Sequence, residues 1–396
     1  MLNFFSASTR TVNAKRGVIE CMETALGYSS ANCDLVIVHA SIGHDFLEIS
    51  EQIRAMAPRA KVVGASCCGI IGSEGVSESM KDIAIMAVRG KEIAVASADG
   101  IYGHNSYEKS LEVAKDLYAK DKGINMIYFL ASGIDIANDR CIAAIESVFG
   151  KEVTIFGATS ADNMKGVISY QLVEDKVYEH GVFMVGFSDP TLAVDTQATH
   201  GFVAIGEPMT VTKANGNQII ELDEKPAWTE FTQRLGLPAT STCGDTIPVG
   251  ALAEKLSPEL AKEYGNQHIL KVVTKRVDDT MYYATDIAEG TKLWLTTRDE
   301  ELIFKEMDRM VATMVERIKG RKLVAMFHAD CLARGRFLFN RVLKEELVNK
   351  MQFPFSENGV CPPWLGMYGF GEIARLGGEN TYHNYTTALY ALYRKQ

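Results

Sequence analysis

Apolar positions in this chain gather into short continuous runs that come in pairs, each pair separated by a stretch of helical spacing. Val36-Ile37-Val38-His39-Ala40-Ser41 leads through such a stretch, ending at Met56, into Lys61-Val62-Val63-Gly64-Ala65-Ser66. Ile127-Tyr128-Phe129-Leu130-Ala131-Ser132 leads through another, ending at Phe149, into Val153-Thr154-Ile155-Phe156-Gly157-Ala158-Thr159. Leu323-Val324-Ala325-Met326-Phe327-His328-Ala329-Asp330-Cys331 leads through a third, ending at Lys350, into Trp364-Leu365-Gly366-Met367-Tyr368-Gly369. Continuous apolar runs of this length predict strands covered on both faces, and the intervening 3.6-residue period predicts helices. The pattern is therefore a strand–helix–strand unit read three times, with Gly64, Gly157 and Gly366 in the same place at equivalent strand ends. Repetition of this kind predicts a space shared by the copies, beyond the carboxyl ends of the strands, where an α/β layer binds ligands.

Between the units the pattern predicts a strand over 3–8, a helix over 13–26, closing strands over 82–88 and 181–187, and a helix near 107–119. Past Pro190 it changes. A strand or bent strand pair over 192–205 is followed by a hairpin over 211–222 turning at Asn215-Gly216-Asn217, then a helix over 226–235 stopped by Gly236-Leu237-Pro238. A β meander is expected over 269–276, 281–287 and 292–297, a helix over 300–319, and a last strand over 382–393. The resulting fold class is α/β, with mixed sheets built from repeated strand–helix–strand–strand units in two tightly packed domains, 1–222 with two repeats and 223–396 with the meander and the third.

Composition narrows the function. The chain has 396 residues, 47% hydrophobic and 23% charged, with 41 basic against 50 acidic side chains and a net charge of −9. No basic stripe is present to neutralise phosphates, which argues against nucleic acid. No apolar run reaches the ~18–20 residues of a membrane span, and the first residues lack the layout of a signal peptide. Eight cysteines in so long a chain are not a disulfide framework, so a reducing cytoplasm is expected. Cys21, Cys141 and Cys331 sit in apolar stretches as small hydrophobes; adjacent Cys67-Cys68 fill a core or loop, or serve redox or metal chemistry.

The third unit carries the most chemistry. Asp330-Cys331-Leu332-Ala333-Arg334-Gly335-Arg336 falls where a strand gives way to a helix, so that N–H groups and a guanidinium can converge on an anion; the alternative is a solvated arginine. Gly369-Phe370-Gly371-Glu372-Ile373 follows the partner strand and places a carboxylate at a tight turn, to take an ammonium group or simply to face solvent. Together Arg334 and Glu372 make a clamp of opposite charges suited to an amino acid or a similar zwitterion, the two side chains meeting each other directly or through water when no ligand is bound. His39 and His328 hold nearly equivalent positions on buried strands and read as satisfied core residues. His200 and His383 lie at irregular joints, as structural hydrogen-bonders or as ligands. No His-Glu-x-x-His, Cys-x-x-Cys, phosphate-loop, dinucleotide or Gly-x-Ser-x-Gly pattern occurs, so no dedicated metal site and no enzyme class is indicated.

Four stretches resemble the FIST sensory family: 62–69 (Val62-Val63-Gly64-Ala65-Ser66-Cys67-Cys68-Gly69); His200-Gly201-Phe202 with Gly206-Glu207-Pro208-Met209-Thr210-Val211-Thr212, Glu221-Leu222-Asp223 and Pro226-Ala227; Cys331-Leu332-Ala333-Arg334-Gly335; and Gly369-Phe370-Gly371-Glu372-Ile373-Ala374 with His383-Asn384 and Thr386. The resemblance implies a cytoplasmic, non-catalytic sensor of a small ligand that signals to a histidine kinase or a cyclic-dinucleotide enzyme, with no nucleic acid and no membrane span. A homodimer is compatible with it. Arg334, Glu372, Cys331, Asn384 and Thr386 are the ligand-binding residues it implies. One branch of the family senses nitric oxide through haem, for which His200 and then His383 are the candidate axial ligands. An enzyme using Cys331 or Cys67 as nucleophile is the reading from another class. The family's Gly-Cys-Ser-Thr-x-Gly-Glu segment is not kept here, since Cys67-Cys68-Gly69-Ile70 lacks both the threonine and the glutamate.

Overall fold

The computed structural model describes residues 1–335 and 339–395. All three predicted strand–helix–strand units form, and each pairs its two strands in parallel: Leu35–Ser41 with Lys61–Cys67, Met126–Ala131 with Thr154–Thr159, and Leu323–Cys331 with Trp364–Gly369. Their helices are Phe46–Met56, Asn138–Phe149 and Arg341–Gln352. Asp45 and Asn340 cap the first and third of these through side-chain oxygens, which satisfies N–H groups a helix start leaves free.

Each unit is the heart of a larger module. A closing strand runs antiparallel to the first strand of the pair: Ile83–Arg89, Val182–Phe187 and Thr387–Arg394. A further strand flanks each closing strand, namely Asn3–Thr9, Ile93–Ala98 and Leu192–Thr199. The equivalence extends to single hydrogen bonds. Ser41, Ser132 and Cys331, three positions past the residues opposite the glycines, donate their N–H groups to the carbonyls of Asp82, Gly181 and Thr386 at 2.9, 2.8 and 3.0 Å.

Each module also lends a hairpin to a neighbour. The hairpin 70–77 of the first module pairs with Trp364–Gly369 of the third. The hairpin 171–178 of the second pairs with Lys61–Cys67 of the first. The hairpin 371–383 of the third pairs with Thr154–Thr159 of the second. The exchange closes a ring, so each of the three sheets built by the modules has six strands drawn from two of them. Gly64, Gly157 and Gly366 sit at the same register position in that ring, opposite Val38, Phe129 and His328 on one side and Leu172, Ile373 and Ile71 on the other. They lie within the strands, not at the strand ends expected from sequence, because the hairpin adds a neighbour that the pattern did not reveal. A Cβ on Gly157, whose φ is +145°, would sit 2.0 Å from the Phe129 carbonyl; on Gly64 it would sit 2.7 Å from that of Val38.

The expected shared space is filled. Where the three sheets face one another, Tyr128, Phe156, Phe327 and Tyr390 stack with ring centroids 5.3–5.6 Å apart. His39 is locked there between Tyr128 Oη (2.8 Å) and the Gly366 carbonyl (3.2 Å), and the space it borders leaves no room for a water molecule. His39 and His328 are not equivalent. Val38, not His39, matches His328 in register, so the two imidazoles point to opposite faces of their sheets.

The third module alone is interrupted, between Thr199 and Glu300, by an inserted unit with its own sheet and a core that includes Val211, Leu222, Trp228, Phe231 and Met281. The predicted hairpin forms there as Phe202–Asn215 and Gln218–Leu222, and the predicted helix as Ala227–Leu235 closed by left-handed Gly236. The first two meander strands are shorter than expected, the first split into His268–Lys271 and Lys275–Val277 and the second Thr280–Tyr282, while the third forms as Lys292–Arg298. The last predicted strand is two, Glu379–His383 and Thr387–Arg394, bent at Tyr385, whose φ is +54°.

Candidate functional site

The first strand of the third module ends in Asp330-Cys331, and a 3-10 turn over Leu332–Arg334 carries the arginine back beneath it. Arg334 is 1% exposed, and its Nε–H donates to Asp330 Oδ1 at 2.8 Å. Glu372 enters from the hairpin strand Gly371–Leu376 and is fully buried. Arg334 and Glu372 therefore share one buried region, within electrostatic reach of each other and of Asp330. Of the two expected ways for Arg334 to meet Glu372, the direct pair is not formed: Asp330, one helical turn away in sequence, is the arginine's ion-pair partner. Asp330 lay inside the motif that pointed to Arg334, and a carboxylate four positions before an arginine is the signal that could have singled it out. Arg336, the other arginine of that motif, lies outside the described residues.

Burial raises the Glu372 carboxyl well above the usual carboxylate range, and the negative charge of Asp330 raises it further. The Cys331 thiol and the Thr386 N–H lie near enough to oppose that shift, yet neither gives Glu372 a hydrogen bond of good geometry, and both its oxygens stay unpartnered. Arg334 Nη2, Asp330 Oδ2, His328 Nδ1 and His383 Nδ1 are likewise buried without a hydrogen bond, although His328 Nε2 lies 3.6 Å from Asp330 Oδ2. Orphaned polar atoms cost about 1–3 kcal/mol each, more when charged, and native structures keep few of them. Here six converge around one strand end.

The remaining predicted residues divide. Cys331 lies against Glu372, and burial and that carboxylate push its thiol up, away from the thiolate. Asn384 and Thr386 are occupied in holding the bend between the last two strands. Asn384 donates to the Phe370 carbonyl at 3.1 Å and accepts from the Val272 N–H at 3.4 Å. The Thr386 hydroxyl donates to the Asn384 carbonyl at 3.0 Å and also bonds Tyr264 Oη at 2.7 Å. Tyr264, which the pattern gave no reason to notice, thus lies directly over the site, with its ring 5.1 Å from that of His383.

Of the two candidate axial ligands, His200 has no ring nitrogen free for a haem, and His383 keeps one, Nδ1, deep in the protein. His200 has both ring nitrogens in use: Nδ1 accepts from the Phe202 N–H at 3.0 Å, and Nε2 bonds the His268 carbonyl at 2.9 Å. Burial pulls its pKa down to about 4 and keeps it neutral. His383 is 2% exposed, bonded through Nε2 to the Thr381 hydroxyl at 2.8 Å. Among the described residues no group of three or more His, Cys, Asp or Glu side chains could hold a metal ion.

A model of the FIST N domain matches residues 34–225, and one of the FIST C domain matches 230–375. The chain belongs to the FIST family. FIST domains are sensory and bind small ligands, which is the role this chain takes. The FIST C match spans Asp330, Arg334 and Glu372 and stops short of Asn384 and Thr386. The two FIST matches meet between 225 and 230, inside the inserted unit. No curated protein matches the chain. Among solved structures, PurLQS from Thermotoga maritima aligns at 12% identity over all of this chain and 73% of that one, with a TM-score of 0.23. T. maritima PurL complexed with ATP aligns at 10% identity over 99% and 71%, with a TM-score of 0.22. Scores this low carry no argument. No helix among the described residues is long and apolar enough to cross a membrane.

Proposed function

We propose that this FIST protein is a non-catalytic cytoplasmic receptor for an amino acid or a similar zwitterion, held by Arg334, Asp330 and Glu372. The observation that carries this reading is the set of orphaned atoms at the third strand end, weighed against the same place in the other two modules. By register, Asp330 and Glu372 match Ala40 and Ile70 in the first module and Ala131 and Gln171 in the second, and by sequence offset from the strand Arg334 matches His44 and Asp135. In the first module the Ser41 hydroxyl donates to the Ser79 carbonyl (2.6 Å), and Asp82 accepts from the Ser77 hydroxyl (2.8 Å) and the Ser79 N–H (2.6 Å). In the second, Ser160 donates to Ser169 at 2.9 Å and accepts from the Gln171 amide at 2.7 Å. These hydroxyl, carboxylate and amide groups are satisfied, and of the matched residues in the two modules only His44, which burial holds toward its neutral form, keeps buried atoms without a hydrogen bond. Only in the third module does the equivalent place bring together an arginine and two carboxylates with bonds left to make.

The ligand's carboxylate takes the open Nη2 of Arg334, a charge-assisted bond. Its ammonium lies against Glu372 and Asp330 Oδ2, and the added positive charge favours loss of the Glu372 proton. The raised Cys331 thiol supports a binding role over a nucleophilic one. Eight free cysteines support a reducing compartment. A histidine kinase or a cyclic-dinucleotide enzyme is the partner class we infer from the family. The test is a thermal-shift screen of the common amino acids, in which a ligand at 100 times its Kd stabilises by about 2.7 kcal/mol. Isothermal titration of any hit against Arg334→Lys follows. Silence across the panel, or a hit that binds the variant equally well, discards the reading.

A further inference from the structure

The Arg334–Glu372 site is sealed, so a ligand must have a way in. The first two modules pass directly from their flanking strand to their first helix, Thr9 to Ala14 and Ala98 to Ser106. The third instead spends residues 200–299 on the inserted unit at that junction. The insertion therefore belongs to the one module that carries the charged cluster.

Its short helix Pro258–Tyr264 lies over that cluster, and of its seven residues only Tyr264 is buried. Tyr264 is close enough to Glu372, Arg334 and Cys331 to feel the charge of all three. Its ring packs between those of His200 (5.2 Å) and His383 (5.1 Å). Leu260 packs part-buried against the core, and the other ties that hold the helix down are polar. Tyr264 Oη bonds Thr386 at 2.7 Å, and the Tyr264 carbonyl accepts from Arg309 Nη2 at 2.8 Å. Glu263 pairs with Arg317 Nη2 at 2.5 Å and accepts from the Gln197 amide at 3.1 Å. An element with one fully buried side chain, one part-buried leucine and a handful of exchangeable polar ties sits toward the low end of local stability. On its outer side is an open groove of about 470 Å³, bordered by Phe202, Ala261, Gly265, Asn266 and His268.

We propose that Tyr264 is the gate of the site: the helix Pro258–Tyr264 swings outward, lifts the phenol off Thr386 and opens the buried Arg334–Glu372 cluster to the groove. The inference rests on that cluster being the binding site, but it is tested without any ligand. Cys331 lies against Glu372 in the cluster and is 2% exposed, while Cys21 (1%) and Cys141 (0%) lie in the cores of the first two modules. Each thiol's alkylation by N-ethylmaleimide, followed by peptide mass spectrometry, reports how often its surroundings open. In the native protein Cys331 is expected to label at least about tenfold faster than Cys21 and Cys141. Tyr264→Phe, which deletes one tie at nearly constant volume, and Glu263→Gln, which weakens another, each speed Cys331 further and leave the two reference thiols unchanged. A common labelling rate for all three thiols in the native protein would mean that only global unfolding exposes Cys331, and would overturn the gate. So would variants that accelerate all three together, or neither. A silent amino-acid screen with selective Cys331 labelling would discard the ligand and keep the gate; the converse result would do the opposite.

Discussion

Arg334 gives its Nε–H to Asp330 at 2.8 Å and keeps Nη2 unpaired inside the protein. Half of the guanidinium is thus committed to positioning and half is held in reserve. The pair is 1% exposed on each side, which makes its two members unequal to lose. Asp330→Asn leaves a buried cation without its counter-charge and is expected to cost about 3–5 kcal/mol. The measurement is the urea midpoint at constant slope. A loss below ~1 kcal/mol would show that Arg334 finds compensation elsewhere.

Glu372→Gln should act in the opposite sense on stability. A carboxyl raised in the folded state holds its proton longer than in the unfolded chain, so stability falls as pH climbs from the unfolded value toward the folded one. Glutamine has no proton to lose, and the variant should melt higher than the parent at pH 7–8 and equally at pH 4. Ligand affinity, by contrast, should drop about 10- to 100-fold as a charge-assisted bond is lost. Calorimetry at the two pH values and titration at one separate the effects.

Asp195 offers a second pH test. Burial raises its pKa to about 6 despite the nearby Arg317 guanidinium, and Glu263, which shares that arginine, pushes the same way. The folded state then binds the proton more tightly than the unfolded one, and stability declines between about pH 4 and 6. Asp195→Asn is expected to stabilise by about 2 kcal/mol at pH 7.5 and not at pH 4, although it removes one half of an ion pair. Destabilisation at both pH values would count against this account.

The in-strand glycines should rank by what a methyl group meets. Gly157→Ala combines a left-handed φ with a carbonyl 2.0 Å from the new Cβ, and should cost about 3 kcal/mol or more. Gly64→Ala has the clash without the φ penalty and should cost less. Gly75→Ala has open space and a φ of +107°, leaving about 1–2 kcal/mol of backbone strain alone. Thermal melts of the three variants check the order.

Much of the architecture was legible because it rests on local pattern. The runs over 36–41, 127–132 and 323–331 are strands, and the glycines that marked the repeat share one register position. What the pattern could not show was exchange between modules. The hairpin strands Ile70–Gly72 and Gln171–Val173 are three residues long, too short for periodicity, and their partners lie about 100 to 300 positions away. The same blindness affected the site. Arg334 and Glu372 could be named from motifs, but Asp330 looked like the end of a strand and Tyr264 sat on a short helix with an exposed face. Asn384 and Thr386 were expected as ligand-binding residues, and their side chains are engaged in the backbone bend at Tyr385.

The hairpin ring has a consequence for any piece of this chain. Residues 1–190 contain one complete sheet, Asn3–Thr9 through the borrowed hairpin 171–178. They also carry a loose hairpin, 70–77, whose proper socket is Trp364–Gly369, and a vacant socket, Thr154–Thr159, whose proper plug is 371–383. Plug and socket on one such piece occupy equivalent places in the ring, so the plug of one copy can seat in the socket of the next. A contact of that kind need not close on itself, and an exposed strand edge is already a template for it. The stop signal for such threading is the third module, and a shortened chain should be recovered as a ladder of lengths instead of a single species.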